Sequence, residues 1–361
     1  MTEPAGARFV RGLGDVGAAD AAWAGGKAAA LGELARAGIP VPRAYVVTVA
    51  AFGLVMQTLD PSGAIRGAIG GLPGDDLAAL SSAAAALRAR ITAAPLPPEV
   101  AAEITFAYRQ LEVAAVAVRS SATMEDSPQA SFAGLQDTYL AVRGADDVLD
   151  RVRSCWASLY NDESVTYRRR QGIGEGGLAM GVVVQRMVSP RAAGVMFTRS
   201  PVTGDRSVVA IEGTWGLGSA LVAGEVTPDS FTVSKVTGEI TGRRVSAKLR
   251  AHSFMPNGAG ITALPMPPAL RRSACLTDDE ARALAAAGRR VEEHYRVPQD
   301  IEWALLGETP GCPALHGEPA DRIVLLQSRP ETVWAARDRA PIATPKPRAG
   351  DHVLVRFRKA L

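Results

Sequence analysis

The densest group of residues that could bind a polyanion lies at positions 118–140, with the sequence VRSSATMEDSPQASFAGLQDTYL. A guanidinium such as that of Arg119 can hold a phosphate in a bidentate fork, and the hydroxyls of Ser120 and Ser121 could offer further donors. A capped turn with a solvated arginine explains the same residues equally well. The segment alone therefore leaves both interpretations open.

A second cationic group lies upstream, at Gly25, Gly26 and Lys27. The glycines allow close backbone approach ahead of a helix start, where amide donors and the helix dipole favour an anion, and Lys27 adds a point charge. The chain has no GxxxxGK[ST] sequence, so this group is not a P-loop. On its own, the short pattern does not establish phosphate binding.

An acid and an amide near the other end of the chain could hold a metal ion. The two-residue period of a strand puts Leu325, Gln327 and Arg329 on one face, and Glu302 lies on another strand that could pair beside it. Carboxylate and amide oxygens suit Mg²⁺, which fills its other positions with water and phosphate oxygens. Considered alone, these residues favour a salt bridge between Glu302 and Arg329 that closes a sheet edge.

Strands and helices must position these groups. Residues 27–37 have one apolar helical face, which Gly38 and Pro40 end as a C-terminal glycine and a following proline should. The apolar run at 113–118 predicts a strand with Arg119 at its end. The remaining predicted strands lie at 44–48, 181–187, 193–197, 208–212, 230–233, 301–305 and 323–327.

Helical patterns fill residues 51–107 and 147–171, and a further helix is predicted at 276–295. Thr277 is a plausible N-cap of that last helix, with Glu280 as its capping-box partner. The glycine-rich segment 172–177 separates two mixed lobes. We therefore predict an N-terminal lobe at residues 1–175, a C-terminal lobe at 176–335, and a Pro-rich basic tail at 336–361 that could dock a partner.

Four motifs occur in a characteristic order: GGK at 25–27, RSSAT at 119–123, DIE at 300–302 and QSR at 327–329. Together they resemble the ATP-binding domain of the phosphoenolpyruvate synthase and pyruvate phosphate dikinase family. The resemblance covers roughly residues 10–335. It implies a two-lobed ATP-grasp fold of mixed α+β or α/β class, with a nucleotide cleft between the lobes.

The resemblance also implies roles for individual residues. Lys27 and Arg119 match phosphate binders, Arg329 matches a catalytically required arginine that binds phosphate, and Glu302 and Gln327 match metal-coordinating positions. Further nucleotide-binding positions are implied at Ser131 and Gly134 in a mobile flap, at Gln185 and Met187 around the interlobe hinge and adenine slot, and at Glu212 in the block IEGTWGLGSALVAGEVTPD. Ser219 stands in that block where many members carry glutamate, which weakens a role for this position.

Family enzymes that make phosphoenolpyruvate, or that phosphorylate rifamycins or phenol, pass phosphate through a histidine on a swivelling domain. That histidine follows Gly-Gly and Ser or Thr, and none of the histidines at 252, 294, 316 and 352 has this context. The sequence after residue 335 is also too short for a histidine domain or a TIM-barrel acceptor domain. We therefore expect the chain to use ATP and Mg²⁺, to release AMP and phosphate, and to phosphorylate a histidine on a partner chain.

The final acceptor would be a small molecule bound on that partner, either phenol-type or pyruvate. The best matches are the ATP-binding subunit of a phenylphosphate synthase and a detached N-terminal piece of a phosphoenolpyruvate synthase. Ser219 and the missing domains motivate an alternative, a non-catalytic regulatory module that binds ATP. An ATP-grasp ligase, which would release ADP, fits the motifs least.

Composition excludes several other classes. With 361 residues, 47% hydrophobic and 21% charged, the chain has the composition of a soluble globular protein of about two lobes. It has no apolar run of about 18 residues and no secretory signal, so we expect neither membrane association nor export, and the cytoplasm is the default. A net charge of +3 with scattered arginines does not support nucleic-acid binding. The three cysteines lack metal-site spacing.

Overall fold

We describe a computed structural model of the chain at residues 8–73, 76–123, 137–255, 260–307 and 318–337. The flap residues Ser131 and Gly134 and the tail beyond 337 lie outside these ranges.

The strands are β1 (Val10–Gly12), β2 (Ala44–Val47), β3 (Val116–Ala122), β4 (Thr138–Val142), β5 (Met180–Arg186), β6 (Pro190–Phe197), β7 (Val208–Trp215), β8 (Asp229–Ser234), β9 (Ile240–Arg244), β10 (Arg250–Phe254), β11 (Ile261–Pro265), β12 (Gln299–Leu306) and β13 (Ile323–Pro330). The helices are α1 (Ala21–Ala24), α2 (Gly26–Arg36), α3 (Val49–Leu59), α4 (Ala64–Gly71), α5 (Leu77–Ala93), α6 (Pro98–Leu111), α7 (Ala145–Ala157), α8 (Asp162–Arg170), α9 (Ser219–Val222), α10 (Asp278–Tyr295) and α11 (Val333–Arg337).

The first sheet has the strand order β1-β2-β5-β3-β4, with every neighbouring pair antiparallel. One face packs on the long helices α3, α5, α6 and α7, in a core that contains Phe52, Leu87 and Trp156. The other face packs on α1 and α2 through Val46 and Val183. Burial on both faces explains why the strands carry continuous apolar runs.

The second sheet has the order β13-β12-β6-β7-β8-β9, again antiparallel throughout. Its core face packs on α10 around the fully buried Trp303. The predicted capping box of that helix is confirmed, because the Thr277 hydroxyl accepts from the Glu280 amide and the Glu280 carboxylate accepts from the Thr277 amide. The opposite face of this sheet remains open toward the first sheet.

Helix α2 joins the two cores. Its first half packs on the first sheet through Ala28 and Leu31, whereas Leu34 belongs to the core of the second sheet. The hydroxyl of Tyr295 on α10 also donates to the Ala30 carbonyl at 3.0 Å. The amide of Leu325 on β13 donates to the Pro40 carbonyl at 2.8 Å, just beyond α2. The two sheets are therefore held at a defined separation.

The predicted fold class with both helices and strands is confirmed, and the antiparallel pairing makes it α+β rather than α/β. Two details of the sequence prediction differ from the structure. Strand β3 spans Val116–Ala122, so Arg119 lies in the middle of a strand and not at its end. Strand β5 pairs with β2 and β3 in the first sheet, although the lobe boundary at 175/176 assigned it to the second lobe. The chain crosses between the sheets after β5, because β6 already belongs to the second sheet.

In the part of the chain that the structure describes, no helix has both the length and the apolar character needed to cross a bilayer.

A buried ion pair in the first lobe provides a test of the fold. Arg168 is fully buried, lies 2.8 Å from Glu175, donates to the Leu159 carbonyl and stacks over the Tyr160 ring. Glu175→Ala should lower the free energy of unfolding by about 3–5 kcal/mol, because it leaves an uncompensated buried charge. Urea denaturation measures the change.

Glu293→Ala is the matched control, since Glu293 pairs with Arg289 at 3.7 Å while both side chains are exposed to solvent. It should change the same free energy by less than about 1 kcal/mol. Equal losses in the two variants would contradict a structural role for the buried pair.

Candidate functional site

A cavity of about 360 Å³ lies between the two sheets. The first sheet contributes residues of β3, β4 and β5, and the second sheet contributes residues of β6, β12 and β13, with α9 at one side. Arg119, Gln185, Met187 and Glu302 were predicted as site residues from the sequence, and all four line this cavity. Strands that are far apart in the chain thus bring these four residues together. The other predicted site residues that the structure describes, Lys27, Glu212, Gln327 and Arg329, are not part of the cavity lining.

Arg119 connects the two sheets. From β3 its Nη1 donates to the Leu326 carbonyl at 2.9 Å and lies 3.4 Å from Gln185 Oε1. Its Nη2 donates to Glu302 at 2.9 Å and to Gln327 at 2.6 Å. The side chain is only 9% exposed. The central position of Arg119 in β3 aims the guanidinium across the cleft rather than into solvent.

Arg119 and Gln185 also carry donors that lack a partner. Arg119 Nε and Gln185 Nε2 are buried and have no hydrogen-bond acceptor among the described residues. A buried N–H without an acceptor costs about 1–3 kcal/mol. Both atoms have almost no accessible surface, so a ligand could supply acceptors to them only if these side chains moved.

Acidic and amide side chains form a row across the open face of the second sheet. Gln327 pairs in register with Glu302, Glu302 with Val195, and Val195 with Glu212. Residues directly opposite in antiparallel strands project on the same face, and neighbouring strands are about 4.8 Å apart. The Cα atoms of Glu302 and Glu212 are therefore about 10 Å apart, with Val195 between them.

A bulge sets the orientation of this row. The register shifts between Glu302 and Trp303, so that Trp303 pairs with Leu325 while Glu302 pairs with Gln327. Leu325 is consequently buried in the core on the opposite face from Gln327, contrary to the prediction that the two share a face. The extra residue, Leu326, offers its carbonyl to Arg119.

Arg329 lies on β13, two residues after Gln327. It pairs in register with Asp300, and its Nε is 3.5 Å from the Asp300 carboxylate. The salt bridge between Glu302 and Arg329 that the sequence favoured is not formed, because Glu302 is bound to Arg119 instead. About one third of the Arg329 side chain is exposed, in contrast to Arg119.

Lys27 is positioned by the contact between α2 and β3. Its Nζ donates to the Ser120 carbonyl at 2.7 Å, and the Ala28 amide donates to the Ser121 hydroxyl at 2.9 Å. Gly25 precedes the helix with φ of +86°, and a Cβ there would lie 1.9 Å from the Ser121 carbonyl oxygen. The close approach of α2 to β3 therefore requires glycine at position 25. It brings the Lys27 ammonium to the main chain of Ser120, the residue that follows Arg119 on β3.

The sequence interpretation missed one group in the cavity. Ser219 at the start of α9 lines it and hydrogen-bonds to His252, which in turn contacts Glu225. His252 is separated by 33 residues from Ser219 and belongs to no motif, so only the fold brings the two together. The sequence gave Ser219 a weakened role, and it gave no signal for His252.

The donor chemistry at the cleft is compatible with a magnesium ion that also binds substrate oxygens. Among the described residues no cluster of three or more His, Cys, Asp or Glu side chains could enclose a metal. Glu302 and Gln327 present oxygens to the same nitrogen of Arg119, which places a carboxylate and an amide oxygen side by side. Such a pair fits Mg²⁺ with phosphate and water as its remaining ligands.

Comparison with known proteins gives consistent matches. The family model described as "Pyruvate phosphate dikinase, AMP/ATP-binding domain" matches residues 21–349. The chain is 46% identical over 330 residues to a rifampicin phosphotransferase of Streptomyces sp, covering 91% of this chain and 38% of the relative. It is 40% identical over 331 residues to a probable phosphoenolpyruvate synthase of Methanothermobacter thermautotrophicus, covering 90% of this chain and 46% of the relative. A phosphoenolpyruvate synthase of Aeropyrum pernix is 38% identical over 355 residues, covering 89% of this chain and 42% of the relative. The chain spans less than half the length of these relatives.

The contact of α2 with β3 can be tested by adding one methyl group. Gly25→Ala should destabilise the protein by at least about 2 kcal/mol, because the new Cβ would meet the Ser121 backbone and the residue has positive φ. Gly53→Ala is the matched control, since nothing lies within 4 Å of a Cβ at this position inside α3. It should stabilise by about 0.5–1 kcal/mol. Urea denaturation that shows no difference between the two variants would contradict the steric argument.

Proposed function

The chain belongs to the family of pyruvate phosphate dikinase AMP/ATP-binding domains, which confirms the resemblance seen in its four motifs, and we propose that it binds ATP in the cleft between the two sheets. We propose further that it acts in a dikinase-type phosphotransferase. ATP and water would give AMP and phosphate while a histidine on a separate domain or chain accepts the β-phosphoryl group and water accepts the γ-phosphoryl group.

One arrangement carries this proposal: Arg119, Gln185 and Glu302 line one cavity between the two sheets, and Gln327 accepts a hydrogen bond from the same arginine. A cation, a carboxylate and two amide groups in one place suit a polyanion with an attached heterocycle. Arg119 would bind phosphate oxygens through its guanidinium, which matches phosphate geometry. Gln185 would donate to the base.

The base would lie at the end of the cleft where the chain crosses between the sheets. Gln185 is almost fully buried on β5, and Met187 follows the end of that strand. Met187 and Val188 line the same cavity with Leu217 and Val222 on the opposite side. Apolar walls with a few polar groups are typical of sites for flat rings. These features support an adenine slot at the crossing, and they make residues 187–189 the proposed interlobe hinge.

The phosphates would lie toward the other end of the cleft, between three cations. Lys27 and Arg119 approach from the first sheet and Arg329 approaches from the second. Cations on opposite sides can neutralise the negative charge that develops on a transferring phosphoryl group. Ser131 and Gly134 remain proposed flap residues, and Glu212, in the same row as Glu302, remains a proposed nucleotide contact.

Glu302 and Gln327 would hold Mg²⁺. The ion supplies partial neutralisation of the phosphates and orients them for in-line transfer. In the structure the two oxygens accept hydrogen bonds from Arg119. We propose that Arg119 turns from these oxygens toward phosphate when the metal and the nucleotide bind.

A phosphohistidine domain is proposed as the partner because the matched relatives extend well beyond the region shared with this chain. The acceptor bound there would be phenol-type, pyruvate or another small molecule. The names of the relatives, a rifampicin phosphotransferase and phosphoenolpyruvate synthases, support acceptors of different chemistry in one family.

Identifying the products of ATP cleavage tests the proposed function. The purified chain is incubated with Mg²⁺ and ATP labelled in turn at the β and γ positions, with and without a protein that contains a histidine preceded by Gly-Gly and Ser or Thr. We expect AMP and phosphate only with that protein, and β label on its histidine. ADP would instead indicate a kinase or ligase, and tight ATP binding without turnover would favour the regulatory module.

Arg329→Ala tests the proposed catalytic cation. Turnover in the same assay should fall at least about a hundredfold, because a group that stabilises transition-state charge is lost. The far-UV circular dichroism spectrum should not change, since Arg329 is partly exposed and its ion pair among the described residues is with the Asp300 carboxylate. Arg282→Ala removes an arginine whose side chain is 48% exposed on α10, and it should leave turnover unchanged. Full activity of the Arg329 variant would contradict the assignment.

A further inference from the structure

We propose that the Ser219 hydroxyl, held by His252 and Glu225, binds a ribose hydroxyl of the nucleotide and determines selectivity for ribonucleotides. This inference rests on the proposed function, since it assumes that a nucleotide occupies the cleft. Its basis is a hydrogen-bonded chain that no sequence motif indicates. Ser219 Oγ lies 2.9 Å from His252 Nδ1, and His252 Nε2 lies 3.1 Å from the Glu225 carboxylate.

The direction of these hydrogen bonds defines what Ser219 can bind. An ionised carboxylate only accepts, so the contact with Glu225 requires a proton on His252 Nε2. In the neutral imidazole the other nitrogen, Nδ1, accepts the proton of the Ser219 hydroxyl, and the lone pairs of Ser219 Oγ remain for a donor. In the imidazolium, Nδ1 also carries a proton and donates to Ser219 Oγ, which leaves the hydroxyl proton for an acceptor. A ribose hydroxyl both donates and accepts, so it can pair with Ser219 in either state, whereas a phosphate oxygen only accepts.

The position of Ser219 along the cleft agrees with this chemistry. A Cβ on the preceding residue, Gly218, would lie 3.6 Å from the Ala193 Cβ and 3.8 Å from the Gly194 amide nitrogen. These two residues lie on β6 between Pro190, near the proposed hinge, and Val195, which pairs with Glu302. Ser219 is therefore located between the proposed base end and the proposed phosphate end. The sugar of a nucleotide connects those two parts.

Backbone contacts hold the serine and the histidine in place. The Leu217 amide donates to the His252 carbonyl at 2.9 Å. Gly216 has φ of +70°, and a Cβ there would lie 2.4 Å from the same carbonyl oxygen, so the close approach of the two segments requires glycine. His252 is 9% exposed, whereas the side chain of Glu225 is about half exposed. The imidazole is thus fixed beneath Ser219 before any ligand binds, which lowers the entropy cost of orienting the hydroxyl.

The test is a selectivity ratio, measured by calorimetry on the full chain with Mg²⁺. It is the Kd of 2′,3′-dideoxy-ATP divided by the Kd of ATP. A single hydrogen bond to a ribose hydroxyl should make this ratio about three- to tenfold in the unmodified protein. Ser219→Ala should bring it close to one, because ATP loses the contact and the dideoxy nucleotide never had it.

His252→Phe tests the positioning residue, since it keeps an aromatic ring but cannot hold the hydroxyl. The ratio should fall toward that of Ser219→Ala, whereas a merely structural role of His252 would weaken both nucleotides equally and leave the ratio unchanged. Ser273→Ala is the matched control, because the Ser273 hydroxyl donates to the Ala269 carbonyl and, within the described residues, Ser273 is not part of the cleft lining. Both affinities should stay the same.

Two failures can be separated. If ATP binds and the ratio in Ser219→Ala equals that of the unmodified protein, or if the unmodified protein does not discriminate, the ribose contact is wrong and the proposed function stands. If no nucleotide binds the unmodified chain with Mg²⁺, the proposed function fails and the ribose contact fails with it.

Discussion

The contact on which the cleft depends is that of the Arg119 guanidinium with both sheets. One side chain from β3 reaches a carboxylate, an amide oxygen and a main-chain carbonyl on β12 and β13. Taking a charge out of water is costly unless other groups compensate for it, and here three acceptors from the opposite sheet do so. The hydrogen bonds of this arginine consequently help to set how the two sheets lie against each other. A ligand that competes for the guanidinium acts on the same contacts that join the lobes.

Helix α2 complements this polar contact with an apolar one. It lies against β3 at its first turn and enters the second core at Leu34, so the phosphate-binding candidates at its start are tied to the position of both sheets. Gly25 allows the approach, and Lys27 meets the backbone of β3 beside Arg119. In the proposed function, this is how cations from one sheet and oxygens from the other would be brought to one polyphosphate without a P-loop.

The Ser219 position shows how a change of residue type can alter a site without removing it. A glutamate at this position would bring a charge, whereas Ser219 brings a neutral hydroxyl whose orientation depends on His252. A serine on its own rotates freely about χ1 in a half-exposed position. The histidine restricts that rotation and fixes which face of the oxygen remains available.

The sequence by itself determined most of the secondary-structure elements and the family. Hydrophobic periodicity and glycine and proline signals located most helices and the longer strands, and the capping box at Thr277 and Glu280 was predicted correctly, because these signals are local. Four motifs likewise identified the family, and the strand of Glu302 was correctly expected beside the strand of Gln327. Local signals did not predict that Arg119 lies in the middle of a strand or that β5 belongs to the first sheet, since both depend on which strands pair. Tertiary structure alone decided three features: the bulge at Glu302, the pairing of Glu302 with Arg119 and of Arg329 with Asp300, and the contact between Ser219 and His252. Each of them joins residues whose separation in the chain carries no pattern.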